Sequence, residues 1–224
     1  MDERYPLTYS VDYPDRDLNR LTTFFRIFTL IPIAIVLGTV SHVTYGGWDN
    51  AGTAYVAAGG FLFGGPLLLI LFRKKYPRWW FDWNRELLRF TQRVAAYGAL
   101  MSDVYPSTDE QQYVHLEIDY PNAETDLARG MPLVKWFLAI PHYFVLIFLY
   151  IAAFFVVIFA WFAILFTGRY PRSAFDFVMG VERWALRVIA YAFILVTDKY
   201  PPFSLEEQTG PTQTGPTETG PTAG

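Results

Sequence analysis

Phe144-Val145-Leu146-Ile147-Phe148-Leu149-Tyr150-Ile151, continuing to Ala163-Ile164-Leu165-Phe166, contains no charge, no glycine and no proline. As a helix this run is about 35 Å long at about 1.5 Å per residue, enough to cross the hydrocarbon of a bilayer with some tilt. It predicts a membrane-spanning helix, and the rest of the chain is read outward from it. Gly52 to Phe72 is also uncharged and ends at Arg73-Lys74-Lys75, a stop-transfer flank. Ile27 to Trp48 is uncharged apart from His42 and carries Pro32, which a helix in lipid tolerates as a kink. At 53% hydrophobic and 19% aromatic residues, the chain is too apolar for an ordinary soluble domain with a polar coat. Its Phe, Tyr and Trp suit bilayer-facing and interfacial surfaces.

The chain is also written twice. Val11-Asp12-Tyr13-Pro14 returns as Ile118-Asp119-Tyr120-Pro121, and Leu18-Asn19-Arg20 returns as Leu127-Ala128-Arg129. Ile31-Pro32 returns as Ile140-Pro141, and Tyr76-Pro77-Arg78 as Tyr170-Pro171-Arg172. Ala96-Tyr97 and Tyr105-Pro106 return as Ala190-Tyr191 and Tyr200-Pro201. Self-similarity of this length implies two copies of one supersecondary module. The Ile-Pro pair precedes the Tyr-Pro-Arg triplet by 44 residues in the first copy and 29 in the second, which places an insertion at about 41–60. The first copy reads as a hairpin of two spans, where the second has one long bent helix.

Each copy opens with a period-two run. Leu7, Tyr9, Val11 and Tyr13 alternate with polar residues, as do Val114, Leu116 and Ile118. These read as half-buried strands able to pair with each other on the membrane surface. Helical segments follow each Tyr-Pro-Arg turn, at Trp83–Met101 and Ala174–Val196. Their charges are costly at the centre of a span, at about 2.5–3.5 kcal/mol each, so they are expected to face protein or headgroups. Basic residues gather at the Tyr-Pro-Arg turns (Arg73, Lys74, Lys75 and Arg78; Arg169 and Arg172), which the positive-inside rule puts in the cytoplasm. From Glu206 the sequence turns to low complexity, with Thr-Gly-Pro-Thr recurring at 209, 214 and 219, and is expected to be disordered.

The strongest polar constellation is Asp82, Arg89 and Arg93, repeated as Asp176, Arg183 and Arg187. Spacings of seven and eleven place the three residues of each set on one helical face, each arginine within about 20° of the aspartate. A charged stripe on an otherwise apolar helix is where function is expected in a membrane protein. Three readings compete. The two stripes face each other or headgroups and anchor the fold; they form an anionic-lipid or partner-subunit site; or they line a conduction path.

Other chemistry is excluded by what the chain lacks. A net charge of −3 and the absence of a basic groove argue against nucleic acid. With no cysteine there is no disulfide, thiolate zinc site or cysteine nucleophile. His42, His115 and His142 have no metal-ligand spacing, and no nucleophile elbow, phosphate loop or dinucleotide fingerprint is present. No catalytic residue, cofactor or metal is expected. His142 is read as a hydrogen-bonded structural residue. Gly60 and Gly64 make a small-xxx-small step that permits close helix packing. The polar, acidic Met1–Pro6 lacks a signal-peptide pattern, so insertion is expected to use an internal span.

Two further runs complete the pattern: Pro132-Leu133-Val134-Lys135-Trp136-Phe137-Leu138-Ala139-Ile140-Pro141-His142, and Thr167-Gly168-Arg169-Tyr170-Pro171-Arg172 with Thr197-Asp198-Lys199-Tyr200-Pro201-Pro202-Phe203. With the Asp-Tyr-Pro motifs, they resemble a bacterial membrane-protein family known only as a domain of unknown function, often found in tandem. The resemblance implies helical integral membrane architecture and bacterial origin, and no activity. The expectation is a mainly α, polytopic helical membrane protein of two tandem repeats with short surface β-strands. The first repeat spans 1–107, the second 108–204, and a disordered tail 205–224. Its expected role is a non-enzymatic structural or accessory component of a bacterial cytoplasmic-membrane assembly. The alternative is a transporter of small molecules, ions or lipids, or a lipid-handling protein. The expected partners are the bilayer, anionic headgroups, and a protein partner or second copy.

Overall fold

A computed structural model of the protein describes residues 5–40, 64–128 and 130–207. The insertion at about 41–60, the first part of the Gly52–Phe72 run, the Gly60 position and the tail from Gln208 lie outside the described residues.

The period-two runs form strands β1 (Leu7–Val11) and β2 (Val114–Ile118), paired antiparallel in a two-stranded ribbon. Leu7, Tyr9, Val11, Val114, Leu116 and Ile118 turn inward, while His115 and Glu117 face out, as a side-chain period of two requires. The register pairs Leu7 with Ile118, Tyr9 with Leu116 and Val11 with Val114. Adding 107 to a β1 number gives its counterpart in β2, and this exchange maps the register onto itself. Tyr9 and Leu116 sit at its centre.

Seven α-helices are found among the described residues, so the chain is mainly helical as expected. In the first half these are α1 (Arg20–Phe24), α2 (Arg26–Val40), α3 (Gly64–Arg73) and α4 (Arg78–Gly98); in the second, α5 (Met131–Leu138), α6 (Ile140–Thr167) and α7 (Arg172–Ile189). A π-helical turn, Ala190–Ile194, extends α7. The helix α2 continues through Pro32. The long helix of the second half is broken at Ala139, ahead of Pro141, which separates α5 from α6. Both amphipathic helices begin earlier than the charge pattern suggests. Pro77 and Pro171 sit at their N-caps in extended conformation, so the helices start at Arg78 and Arg172.

Among the described residues only α6 is long and apolar enough to cross a bilayer; the apolar stretch of α2, Arg26–Gly38, is shorter. The expectation of several spans is therefore not supported by the described helices. Leu146, Ala153, Ala160 and Ile164 form the buried stripe of α6, and Phe144, Ile147, Phe148, Ile151, Phe154, Phe155, Ile158, Phe159, Phe162 and Phe166 are exposed. In its most apolar window only 17% of the residues are buried. The helix ends at Gly168, whose φ of +79° is left-handed and whose N–H donates to the Ile164 carbonyl at 2.8 Å, a turn that glycine makes without a Cβ penalty.

The halves are interwoven. Helix α4 of the first half packs on β2 of the second, and α7 of the second packs on β1 of the first. The Tyr120 hydroxyl donates to the Tyr76 carbonyl, and the Tyr13 hydroxyl to the Tyr170 carbonyl. Arg78 stacks 4.6 Å from the ring of Tyr120 while Arg172 stacks 4.5 Å from that of Tyr13. Leu100 and Leu195 both adopt left-handed φ, at +66° and +62°, beyond the ends of α4 and the π turn.

Candidate functional site

The charged stripes divide into two parts. Asp82 and Asp176 stay near the surface on the first turns of α4 and α7, where each pairs with the arginine four residues before it, Arg78 at 3.5 Å and Arg172 at 3.3 Å. The arginines go inward. Arg89 Nε donates to the Leu116 carbonyl at 3.0 Å, and Arg183 Nε donates to the Tyr9 carbonyl at 3.0 Å. Each arginine therefore binds the central residue of the other half's strand.

The next pair secures the segments after each Tyr-Pro. Arg93 Nη1 donates to the Ser107 carbonyl at 3.0 Å, Arg187 donates to the carbonyls of Ser204 (3.1 Å) and Glu206 (2.6 Å), and Arg183 Nη1 reaches Leu205 at 3.0 Å. Chain 200–207 lies so close over α7 that a Cβ on Gly180 would stand 2.9 Å from that of Leu205. The backbone carbonyls of Arg93 and Arg187 in turn accept the hydroxyls of Tyr113 and Tyr5. The stripes thus neither face each other nor pair with Asp82 and Asp176. A carbonyl accepts a guanidinium proton without adding charge, so the strand and strap backbone holds the arginines in place. Around them, exposed pairs run from Arg85 through Glu86 and Arg89 to Glu117; such pairs are worth about 0–1 kcal/mol each.

Two buried ion pairs were missed in the sequence. Arg26 Nη2 lies 2.6 Å from Asp103 Oδ1, Nη1 donates to the Ser102 carbonyl at 2.8 Å, and the guanidinium stands 4.0 Å from the Tyr97 ring. In the second half Lys135 Nζ lies 2.7 Å from Asp198 Oδ1, donates to the Thr197 carbonyl at 2.7 Å, and stands 5.2 Å from the Tyr191 ring. The free carboxylate oxygens accept the N–H groups of Asn19 and Ala128, both at 2.6 Å. Each of these partners has its counterpart in the other box, and the Thr22 hydroxyl adds a donor to Asp103 at 3.3 Å in the first. The signal was available, since Asp103 and Asp198 each stand two residues before a repeated Tyr-Pro. It was hidden because the cation is Arg in one copy and Lys in the other. Burial works against the charge on Lys135 and lowers its pKa, and Asp198 opposes that shift.

Above each carboxylate is an open cleft. One, of about 350 Å³, is lined by Asp12, Tyr13, Asp15 and Asp103; its counterpart, about 330 Å³, is lined by Asp119, Tyr120, Asp126 and Asp198. Neither is lined by the stripe arginines. His142 is fully buried, accepts the Trp184 indole N–H at Nδ1 (3.0 Å) and stacks on Phe203 with centroids 4.1 Å apart, which is the structural role expected of it. Among the described residues no group of His, Cys, Asp or Glu has the arrangement of a metal site.

Residues 131–204 match the family described as a domain of unknown function (DUF4389). The match runs from α5 through the Tyr-Pro-Pro-Phe segment and leaves out both strands and the first half, so it is narrower than the resemblance read from the motifs. No curated protein and no solved structure matches the chain.

Proposed function

We propose that the protein is a non-enzymatic integral membrane protein of two tandem modules, serving as a structural or accessory component of a bacterial cytoplasmic-membrane assembly. The observation that carries this reading is the outward face of α6. Ten large Phe and Ile side chains between Phe144 and Phe166 are exposed on it. Burying a side chain of this kind in full is worth about 1.5–3 kcal/mol, and a contiguous exposed apolar face of this size marks a surface that meets a membrane or a partner. A bilayer removes the cost, because lipid covers the helix where protein does not. In this reading α6 is the span. The basic turns at Arg73–Arg78 and Arg169–Arg172 lie on the cytoplasmic side, beside anionic headgroups.

The accessory role is favoured over transport by the fate of the stripe arginines. Arg89, Arg93, Arg183 and Arg187 are engaged with backbone carbonyls rather than lining a continuous polar path. The stripes then hold the two modules in register, and partners are met through lipid-facing and cytoplasmic surfaces. Alkaline carbonate extraction of cell membranes tests the placement: the protein stays in the pellet if α6 crosses the bilayer. Its release with peripheral proteins would defeat the proposal.

A further inference from the structure

We infer that the turn joining α3 to α4 binds the headgroup of an anionic phospholipid, and that the equivalent turn after α6 does not. The inference rests on the reading of the α6 face as lipid-facing, and it names the class of lipid selected and the place of selection.

The two Tyr-Pro-Arg turns share a frame and differ in charge balance. An offset of 94 takes Tyr76 to Tyr170, and with it Arg78 and Asp82 to Arg172 and Asp176. Both of those pairs are formed. The remaining cation of the second turn, Arg169, is also matched, by Asp17 at 2.9 Å. In the first turn the equivalent match is missing. Lys75 is the counterpart of Arg169, and Asp126 is that of Asp17. Asp126 is instead turned to its own loop, where it accepts the Asn122 N–H at 2.9 Å and the Thr125 hydroxyl at 2.7 Å. Arg73, in the last turn of α3, and Lys75 are both exposed, and among the described residues no acid pairs with either. Lys74 Nζ donates to the Glu124 carbonyl at 3.3 Å, which leaves its charge in place.

The turn needs none of these residues in order to form. The counterparts of Arg73, Lys74 and Trp79 are Thr167, Gly168 and Ser173. Gly168 turns the chain at a left-handed φ of +79°, and Lys74 does so at +49°. Glycine takes that conformation without a Cβ penalty and lysine does not. A lysine is thus held where the geometry favours glycine. Trp79 is 62% exposed where the second turn has a serine, and Trp83, four residues on along α4, is 52% exposed.

The order of these side chains fits a phospholipid rather than a soluble anion. Leu68 and Phe72, four apart on α3, are exposed, as are their counterparts Phe162 and Phe166 at the end of the α6 face. The apolar side chains stop at Arg73, the cations follow, and the two indoles come next. That is the order of acyl chain and headgroup, with tryptophan settling at their boundary and Lys and Arg drawing anionic lipid. A free phosphate or a nucleic acid would leave Leu68 and Phe72 without a role.

The test is thermal unfolding of the purified full-length protein in neutral detergent, with phosphatidylglycerol or phosphatidylcholine added at equal mole fraction. Phosphatidylglycerol is expected to raise the melting temperature by several degrees over phosphatidylcholine, and added salt to shrink the difference, since exposed charges are screened. The double variant Arg73→Gln/Lys75→Gln, at two exposed and unpaired positions, should fold and lose most of the difference. Arg169→Gln, at the second turn, should keep it. Sodium phosphate in place of lipid should give no comparable shift. Equal melting in the two lipids overturns the inference, as does an undiminished difference in the double variant or an equal shift with phosphate. Alkaline carbonate extraction separates the two readings. Retention in the pellet together with equal melting removes this inference alone, whereas release removes the membrane reading and this inference with it.

Discussion

Lys135 shows how a single residue is set by its environment. It is fully buried, yet it has a carboxylate, a carbonyl and an aromatic face around it. Removing one member of a buried pair leaves the other uncompensated, so Lys135→Met is expected to cost about 3–5 kcal/mol. Lys135→Arg should cost less than Lys135→Met, because it keeps the charge and the counterpart box already holds Arg26 against a carboxylate, a carbonyl and a tyrosine ring. Denaturant melts of the two variants check this. The pH dependence has a definite sign. Burial lowers the Lys135 pKa in the folded protein, so between the folded and unfolded pKa the unfolded state binds more protons and stability rises with pH. Below the folded pKa the amine is charged in both states and contributes no slope. Arginine does not titrate there, so the stability difference between wild type and Lys135→Arg should move in favour of wild type as pH approaches 10.5. A difference flat across that range would contradict the assignment.

At the scale of elements, the amphipathic helices act as clamps on the ribbon. Arg183 is buried and donates to β1 and to the 200–207 strap, while Arg89 is partly exposed and makes its one backbone bond to β2. Hydrogen bonds from charged groups contribute about 1.5–3 kcal/mol. Arg183→Ala should therefore lose at least about 2 kcal/mol, more than Arg89→Ala, as read by melting in detergent; equal or negligible losses would remove the clamp.

Much of this arrangement was legible in the sequence. Period-two alternation at Leu7–Val11 and Val114–Ile118 announced both strands, and their equivalence announced their pairing. The spacing of Arg89 and Arg93, and of Arg183 and Arg187, announced the stripes. Their destinations were not legible, because a backbone carbonyl leaves no letter in the sequence. Asp82 and Asp176 share the stripe by angle but lie about two to three turns away, where the exposed N-terminal turns give them nearer arginines. The Arg26–Asp103 and Lys135–Asp198 pairs join residues far apart in the chain through tertiary packing alone. Nothing in leucine signals the left-handed Leu100 and Leu195, since that conformation costs any L-residue about 1–2 kcal/mol.

For the whole molecule, two interwoven halves give a ribbon clamped by α4 and α7, with the long apolar helix α6 packed on α7. The strands, arginines and straps hold one another through hydrogen bonds; the outer face of α6 is uncovered. Its ten exposed Phe and Ile side chains are the largest unbalanced term in the structure, and their need for cover is the claim from which the proposed function follows. The chain has no cysteine, so single cysteines placed at Ile147, Ile151, Phe155, Phe159 and Phe162 take a spin label without background. The direct measurement is the relative accessibility of those labels to oxygen and to a water-soluble nickel chelate in reconstituted protein. The account predicts high oxygen and low nickel accessibility along the helix, deepest near its middle. Nickel accessibility at every position, in the manner of a water-exposed surface, would contradict it.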